Sequence, residues 1–295
     1  MPRPLRRLLS GKFLVRVWTR ANEDEIFGRC AQLSYYFLLS LFPLLFFLTT
    51  LFGYFASAPD LQRKLMTYLS SVVPASAVQL VTVTFEEVIA ARGGGKLSLG
   101  LLAALWAASS GINAVGEALN VAYDVSETRS WWKVRLISVG LTVALAVLIV
   151  SALLIVLYGG RLGQFLFNSI DEGDPFAIAW KILQWPIALA FVFLAFGLLY
   201  QFAPNLSARR RGGRLTGSDF RRRWLSPGVF VAVFLWLLVS LGFRLYLHFF
   251  NSYSATYGSL GALIILMLWF YLTGAAILLG AEVNCELESG PKPSR

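Results

Sequence analysis

Long runs of apolar residues, separated by short polar segments, dominate the pattern along this chain of 295 residues. A helix needs roughly 20 apolar residues to cross about 30 Å of hydrocarbon, where every backbone polar group must be satisfied within the chain. Six stretches meet that requirement: 31–55, 97–115, 136–157, 178–202, 229–250 and 259–283. The second is short and becomes polar toward its C-terminal end. The pattern therefore predicts an all-α, polytopic membrane helix bundle with six transmembrane helices.

Segments outside the predicted spans add helical patterns of their own. In the basic amphipathic segment 1–30, Phe13 and Val17 fall on one helical face beside Lys12 and Arg16. This arrangement is typical of a helix on an anionic membrane surface, although a plain topology signal explains the same charges. The outer loop 56–96 predicts two short amphipathic helices, with a re-entrant insertion as the alternative. Residues 286–295 form a polar tail.

Composition supports the membrane assignment. Hydrophobic residues make up 57% of the chain and charged residues only 14%, and the mean hydropathy is +0.65. A soluble domain carries about a quarter of its residues as charged side chains, so this chain needs lipid around it.

The positions of the basic residues explain the net charge of +10. Most Lys and Arg residues lie before the first predicted span, between the second and third, between the fourth and fifth, and after the last. Because positive charge accumulates on the cytosolic side, this asymmetry predicts that both termini are cytosolic. The excess charge therefore calls for no nucleic-acid partner.

Few residues suit metal or redox chemistry. The two cysteines, Cys30 and Cys285, fall at predicted cytosolic helix ends, so neither a structural disulfide nor a metal-ligand spacing is expected. No Gly-x-x-x-x-Gly-Lys-Ser/Thr motif for nucleotide binding occurs in the sequence. The sequence thus predicts no metal and no cofactor.

Polar residues inside apolar helices are the best pointer to a functional site, because they are costly in hydrocarbon. Three predicted helices carry such residues toward the cytosolic side, and together they predict a polar vestibule open to the cytosol. The candidate vestibule residues are Gln32, Tyr36, Asn113, Glu117, Asn120, Glu282 and Asn284. The alternative is that these are solvated helix ends, with the amides joining neighbouring helices.

Basic residues suggest two further contact sites. Arg244 lies inside the fifth span with His248 one turn beyond it, which makes the pair a candidate outer-side gate or anion contact. Snorkelling of Arg244 toward the outer interface is the alternative. Candidate head-group contacts on the cytosolic side are Arg209, Arg210, Arg211, Arg221, Arg222 and Arg223.

Three stretches resemble the YihY/BrkB family of bacterial inner-membrane proteins. They are 33–44 (LSYYFLLSLFPL), the run from Trp106 through Asn113 and Asn120 to Arg135, and 253–261 (YSATYGSLG) continuing through Trp269 to 280–284 (GAEVN). The resemblance implies six helices and a bacterial plasma membrane. Members of that family are linked to virulence, serum resistance and suggested lipid export, and the family offers no established active-site motif to carry over.

The sequence thus leaves three functions to weigh. The leading hypothesis is transport of an amphipathic or anionic solute, lipid among the candidates, with anionic membrane lipids as partners. The second is a non-transporting scaffold that binds envelope proteins through the outer loop. The third is ribonuclease activity, after an old label of the resembled family. RNA cleavage commonly uses clusters of His, Asp and Glu, whereas this chain has one histidine, predicted at the outer face. We therefore expect no enzyme activity, and the sequence leaves the oligomeric state open.

Overall fold

The computed structural model describes residues 11–55, 95–167, 175–206, 226–249 and 253–289. Within these residues the chain forms seven α-helices and no strand. The helices are α1 Gly11–Glu23, α2 Ile26–Phe55, α3 Gly95–Ala122, α4 Trp131–Phe167, α5 Pro175–Phe202, α6 Pro227–Phe249 and α7 Tyr253–Ser289. The all-α prediction is confirmed for this part of the chain.

Among the described residues, five of these helices are long and apolar enough to cross a membrane. The qualifying segments are Ile26–Leu48, Trp131–Leu153, Ile182–Phe202, Pro227–Tyr246 and Leu263–Glu288, within α2, α4, α5, α6 and α7. Over residues 100–122, the part of α3 whose side chains the structure describes, no segment qualifies. α3 contains the second predicted span, which the sequence already marked as short.

The helices extend beyond the predicted spans. The span predicted at 136–157 lies inside the 37-residue α4, and that at 259–283 inside the 37-residue α7. The apolar pattern detects only the part of a helix that matches the hydrocarbon thickness, whereas backbone hydrogen bonding continues into the polar ends. Most of the predicted outer loop, residues 56–94, lies outside the described residues.

The chain divides into two compact units. One consists of Ser40–Ala108 and Thr142–Ala195. Its described part is apolar outside as well as inside: Leu102, Ile182 and Trp185 are each more than 60% exposed. Such an apolar exterior is stable in lipid rather than in water.

The other unit consists of Met1–Leu39, Ser109–Leu141 and Phe196–Arg295. Among the described residues, all buried charged side chains belong to it, namely Arg20, Glu282 and Glu286. The remaining structural detail concerns this unit.

α6 and α7 meet at a pair of glycines. A Cβ atom on Gly280 would lie 2.6 Å from the Gly228 carbonyl oxygen and 2.7 Å from the Ala232 Cβ. The Tyr200 hydroxyl also occupies this space and donates a hydrogen bond to the Ile277 carbonyl oxygen at 2.6 Å. The missing side chains therefore allow the two backbones to approach closely.

α1 packs on α7 through its apolar face. Phe13 and Val17 are buried in a small cluster with Val283, whereas one of the two interpretations of the sequence pattern had this face of α1 lying on the membrane surface. The physical reason is that α7 offers an apolar surface that competes with lipid for the same face. A second apolar group on α1, consisting of Leu14, Val15 and Trp18, is exposed instead.

Candidate functional site

A buried arginine forms the centre of the candidate site. Arg20 is 2% exposed, and its Nε atom donates to Glu282 Oε2 at 3.1 Å. Its Nη2 atom donates to Asp124 Oδ2 at 2.7 Å and to Cys285 Sγ at 2.9 Å. One guanidinium thus joins the end of α1, the end of α3 and the C-terminal part of α7. We call these four residues, together with Asp24, the Arg20 cluster.

The residues of the cluster come from the end of α1, the end of α3 and one face of α7. Arg20 lies in the last turn of α1, and Glu282 and Cys285 lie one turn apart on α7. Asp124 follows α3 with a φ of 52°. The Val125 N–H bonds to the Asn120 carbonyl and the Asp124 N–H to the Val121 carbonyl, both at 2.9 Å. This is the Schellman ending, in which glycine usually takes the left-handed position. A carboxylate that pairs with Arg20 occupies it here.

A second ion pair continues along the same two helices. Arg16 Nε lies 2.6 Å from Glu286 Oε1, with the Arg16 side chain 44% exposed. Arg16 and Arg20 are four residues apart on α1, and Glu282 and Glu286 are four residues apart on α7. Because Arg16 pairs with the later glutamate, the two helices run antiparallel where they meet.

The charges of the cluster hold Arg20 in its cationic form. Burial by itself lowers the pKa of Arg20, but Cys285, Glu282 and Asp124 more than offset burial and raise it above its ordinary value. Glu282 has no exposed surface and its Oε1 accepts no hydrogen bond from the described residues. The Asp24 carboxyl group is another neighbour of Glu282. Acidic groups therefore outnumber the single buried guanidinium.

Buried amides connect the end of α3 to the segment after α5. Asn120 Nδ2 donates to Glu127 Oε2 at 3.0 Å, and Asn120 Oδ1 accepts from the Asn205 N–H at 2.6 Å. Asn205 Nδ2 in turn donates to the Ser126 carbonyl oxygen at 3.0 Å and to Thr128 Oγ1 at 2.9 Å. These bonds satisfy buried polar groups that would otherwise cost about 1–3 kcal/mol each.

Asn284 performs the same role between α6 and α3. Its Oδ1 accepts from the Gly228 N–H at 2.8 Å, and its Nδ2 donates to the Tyr123 hydroxyl at 3.1 Å. Gly228 is the second residue of α6, where a backbone N–H has no partner inside the helix. The Asn284 side chain therefore caps α6 across the helix interface.

The Asn113–Glu117 pair lies on an open face of α3. Asn113 Nδ2 donates to Glu117 Oε1 at 2.7 Å, and Glu117 is exposed. Residues 114–116 and 118–120, between and after them, are buried. One turn earlier, the Arg135 guanidinium donates to Ser110 Oγ from Nη2 at 3.3 Å. The pair thus belongs to a polar stripe along one side of α3.

The predicted vestibule residues therefore fall into two groups. Asn120, Glu282 and Asn284 are buried and bonded to other segments, whereas Asn113 is half-buried and Glu117 is exposed. On α2, Gln32 is exposed and Tyr36 is half-buried with its ring 5.8 Å from that of Tyr35. The structure thus separates a buried network from an open polar stripe.

Arg244, a predicted outer-side contact, belongs to neither group. Arg244 is exposed on α6, and His248 belongs to the last turn of the same helix. The predicted head-group contacts, Arg209, Arg210, Arg211, Arg221, Arg222 and Arg223, lie outside the described residues. In the described ranges no group of three or more His, Cys, Asp and Glu residues is arranged to hold a metal ion.

Comparison with known proteins assigns the family. A family model described as virulence factor BrkB matches residues 17–294. The chain belongs to the BrkB family. The matched range includes the Arg20 cluster, the buried amides and the Asn113–Glu117 pair. This BrkB-family chain is a membrane protein, in agreement with its apolar helices.

Relatives extend over most of the chain. It is 38% identical over 280 residues to the YfkH protein of Bacillus subtilis (strain 168), which is provisionally named as ribonuclease-like; the match covers 95% of this chain and 96% of that protein. It is 30% identical to a UPF0761 membrane protein of Idiomarina loihiensis, covering 94% of this chain and 90% of that protein. A UPF0761 membrane protein of Xanthomonas campestris pv. campestris (strain B100) is 26% identical, and the match spans 95% of this chain but only 60% of that relative. No solved structure matches the chain.

Sequence reasoning found only part of the site in this BrkB-family protein. It named Glu282, Asn120 and Asn284 but not Arg20, Asp124 or Asn205. In the sequence, Arg20 was counted among the many charges predicted on the cytosolic side, because nothing in the sequence distinguishes a buried arginine from an exposed one. The apolar residues Val17 and Ala21 beside it were the available signal, since they place Arg20 on the same side of α1 as the packed face.

The Glu127–Arg129 ion pair makes the stability of this BrkB-family protein depend on pH. The two side chains meet at 2.6 Å, and the Glu127 side chain is 32% exposed. Burial alone raises the pKa of Glu127, but hydrogen bonds from Arg129 and Asn120 outweigh it and lower the pKa below its ordinary value. A lowered carboxyl pKa stabilises the fold above the unfolded value of about 4.3, and this stabilisation is lost as the pH falls through the folded value.

We expect Glu127→Gln to melt a few degrees below the wild type in detergent at pH 7, a loss of about 1 kcal/mol because water screens this pair. The difference should shrink as the pH falls below about 4. Melting curves of both proteins across this pH range provide the measurement. A difference that stays constant in acid would contradict the role of the carboxylate charge.

Proposed function

We propose that this BrkB-family protein carries an amphipathic or anionic solute, with lipid as the leading candidate, across the bacterial inner membrane. In this proposal α2 to α7 cross the membrane six times and both termini are cytosolic. The positive-inside asymmetry of the Lys and Arg residues supports that orientation. α3 then adds one crossing to the five helices named above. Its polar stripe lies on the cytosolic side in this orientation.

The exposed Asn113–Glu117 pair is the observation that carries the proposal. Glu117 lies five residues before the end of α3, about 8 Å along the axis at 1.5 Å per residue. Glu117 lies two residues past the predicted span 97–115, and an exposed carboxyl group at this position favours contact with water. Since its neighbours 114–116 and 118–120 are buried, the water-filled space lies against this one side of α3. This arrangement supports a vestibule entered from the cytosol.

Anionic lipids fit the surroundings of such a vestibule. α1 exposes Lys12 and Arg16 together with Leu14, Val15 and Trp18. A helix with basic and apolar exposed side chains is attracted to anionic head groups and inserts apolar groups among the acyl chains. The predicted arginine contacts at 209–211 and 221–223 would add to the same attraction. We include no nucleic-acid partner.

A lipid-flipping assay on the purified full chain in liposomes tests the proposal. We compare the wild type with Asn113→Ala and Glu117→Ala, and use Glu23→Ala, an exposed carboxylate on α1, as the control. We expect a loss of roughly tenfold or more in the two stripe variants, as for the removal of about 1.4 kcal/mol of binding energy. Equal activity in all four proteins would overturn the vestibule. No activity in any of them would favour a scaffold that binds envelope partners.

Ribonuclease activity forms no part of the proposal. That name belongs to the Bacillus relative, and the described residues of this chain contain no grouping suited to metal-assisted cleavage.

A further inference from the structure

Glu282 combines complete burial with an incomplete set of hydrogen bonds. Its side chain has no exposed surface, and Oε2 accepts from Arg20 Nε at 3.1 Å. Oε1 is buried and accepts no hydrogen bond from the described residues. An ionised carboxylate normally has both oxygens bonded when it is removed from water, because the desolvation cost is otherwise uncompensated.

We propose that Glu282 is a proton-binding site, whose carboxyl group is protonated in the resting protein and hydrogen-bonded to Asp24. The inference rests on the proposed transport function in one respect, that this proton is the coupling ion. The binding step forms one O–H bond, between a proton from cytosolic water and Oε1. No other bond is made or broken.

The charges around Glu282 favour a bound proton. Arg20 and Asp24 from the end of α1 interact with it directly. Asp124 and Cys285 bond to the same Arg20 guanidinium, and Glu286 lies one turn later on α7. Arg20 is the only cation against this group in the described part, and it divides its donors among Glu282, Asp124 and Cys285. Arg16 is engaged with Glu286. With both acids ionised, Glu282 and Asp24 would repel each other at low dielectric, and one proton removes that repulsion.

A hydrogen bond between two carboxyl groups also requires that proton. Ionised carboxylates can only accept, so Glu282 and Asp24 can bond to each other only when one of them is protonated. A proton on Oε1 would thus turn the unmatched oxygen into a donor. This single change gives Oε1 a hydrogen bond, which it otherwise lacks among the described residues.

A metal ion suits the same place less well. The described residues offer no group of three or more His, Cys, Asp and Glu arranged around a metal. The Arg20 guanidinium, 3.1 Å from Glu282, would also repel a divalent cation directly. A covalently bound proton neutralises the carboxylate without needing further ligands.

Protonation would also change how α1 is held. Arg20 attracts ionised Glu282 more strongly than the neutral acid, because charge-assisted hydrogen bonds are roughly twice as strong as neutral ones. Gain and loss of the proton therefore alternately loosen and tighten the link between α1 and α7. Asp124 and the Arg16–Glu286 pair keep α1 attached in both states.

Infrared difference spectroscopy detects this proton without any transport. Full-length protein in liposomes is titrated from neutral to alkaline pH, and the C=O stretching band of protonated carboxyl groups is followed. We expect a band that disappears as the pH rises, is absent in Glu282→Gln and is retained in Glu23→Gln, the exposed control on α1. Should Glu282→Gln fail to fold, Asp24→Asn provides the test, because a changed hydrogen-bond partner shifts the same band. A band unaffected by either substitution, or no band at all, overturns the proton site.

Transport driven by a pH gradient tests the coupling. With one proton per solute, each unit of pH difference corresponds to about a tenfold solute accumulation in the wild type. We expect Glu282→Gln to lose this accumulation and to keep passive exchange. A protonated Glu282 in a protein without transport would overturn the coupling and the proposed function but leave the proton site. Gradient-driven transport that persists in Glu282→Gln would overturn the coupling alone.

Discussion

Arg20→Ala is expected to destabilise the protein by about 3–5 kcal/mol, the range observed when one partner of a buried ion pair is removed. The substitution removes the guanidinium from Glu282, Asp124 and Cys285 at once, and Glu282 has no access to water. Asp124 loses its ion-pair partner, and Glu282 loses its only strong donor in the described residues. Thermal melting in detergent, together with protease sensitivity of the turn between α1 and α2, measures the loss.

Matched variants separate charge from packing in this test. Arg16→Ala should destabilise the protein less than Arg20→Ala. The Arg16 side chain is 44% exposed, so water replaces part of its interaction with Glu286. At a pH high enough to ionise Glu282, adding Glu282→Gln to Arg20→Ala should restore part of the stability, since the double variant then no longer buries an uncompensated charge. If Arg20→Ala melted like Arg16→Ala, or the double variant were less stable than Arg20→Ala, the cluster would not hold α1 through charge.

Gly280→Ala is the second large effect, and we expect it to prevent the close approach of α6 and α7. The added methyl group would lie 2.6 Å from the Gly228 carbonyl oxygen and 2.7 Å from the Ala232 Cβ, well inside contact distance. It would also meet the Tyr200 hydroxyl and disturb the Tyr200–Ile277 hydrogen bond. Since two of these neighbours are backbone or Cβ atoms, they cannot move aside by changing rotamer. Overpacking of this kind costs about 1–3 kcal/mol or more.

Gly242→Ala is the matched control, because it adds the same methyl group to α6 where no atom lies within 4 Å. In a helix this change is neutral or slightly stabilising. We expect Gly280→Ala to lower the melting temperature and the monodisperse fraction in detergent, and Gly228→Ala to do the same. Equal melting of Gly280→Ala and Gly242→Ala would show that the interface relaxes without loss.

The buried network explains why the predicted vestibule residues differ in burial and in hydrogen bonding. Asn120 follows Asn113 and Glu117 at helical spacing, and Glu282 and Asn284 were expected on another helix at the same depth, so the sequence grouped all five. Their partners are Asn205, Arg20 and Gly228, which lie 85, 262 and 56 residues away along the chain. Only the packing of distant segments decides whether an amide bonds to another segment or faces an open space.

The sequence by itself determined the helical class, the membrane solvent and the approximate helix positions. These depend on the length and periodicity of apolar runs, which are local properties set by the hydrocarbon thickness and by backbone hydrogen bonding. It also located the polar positions on α3 and α7. It left open whether the face with Phe13 and Val17 lies on the membrane surface, because an amphipathic pattern specifies a face but not what covers it.

Only the tertiary structure decided which polar groups are buried together. The docking of α1 on α7, the left-handed ending of α3 at Asp124 and the glycine contact at Gly228 bring Arg20, Glu282 and Asn284 into one unit. Burial is a property of the assembled helices, and it converts an arginine and a helix-end glutamate that look ordinary in the sequence into a desolvated, hydrogen-bonded pair. A feature of that kind has no local signature in the sequence.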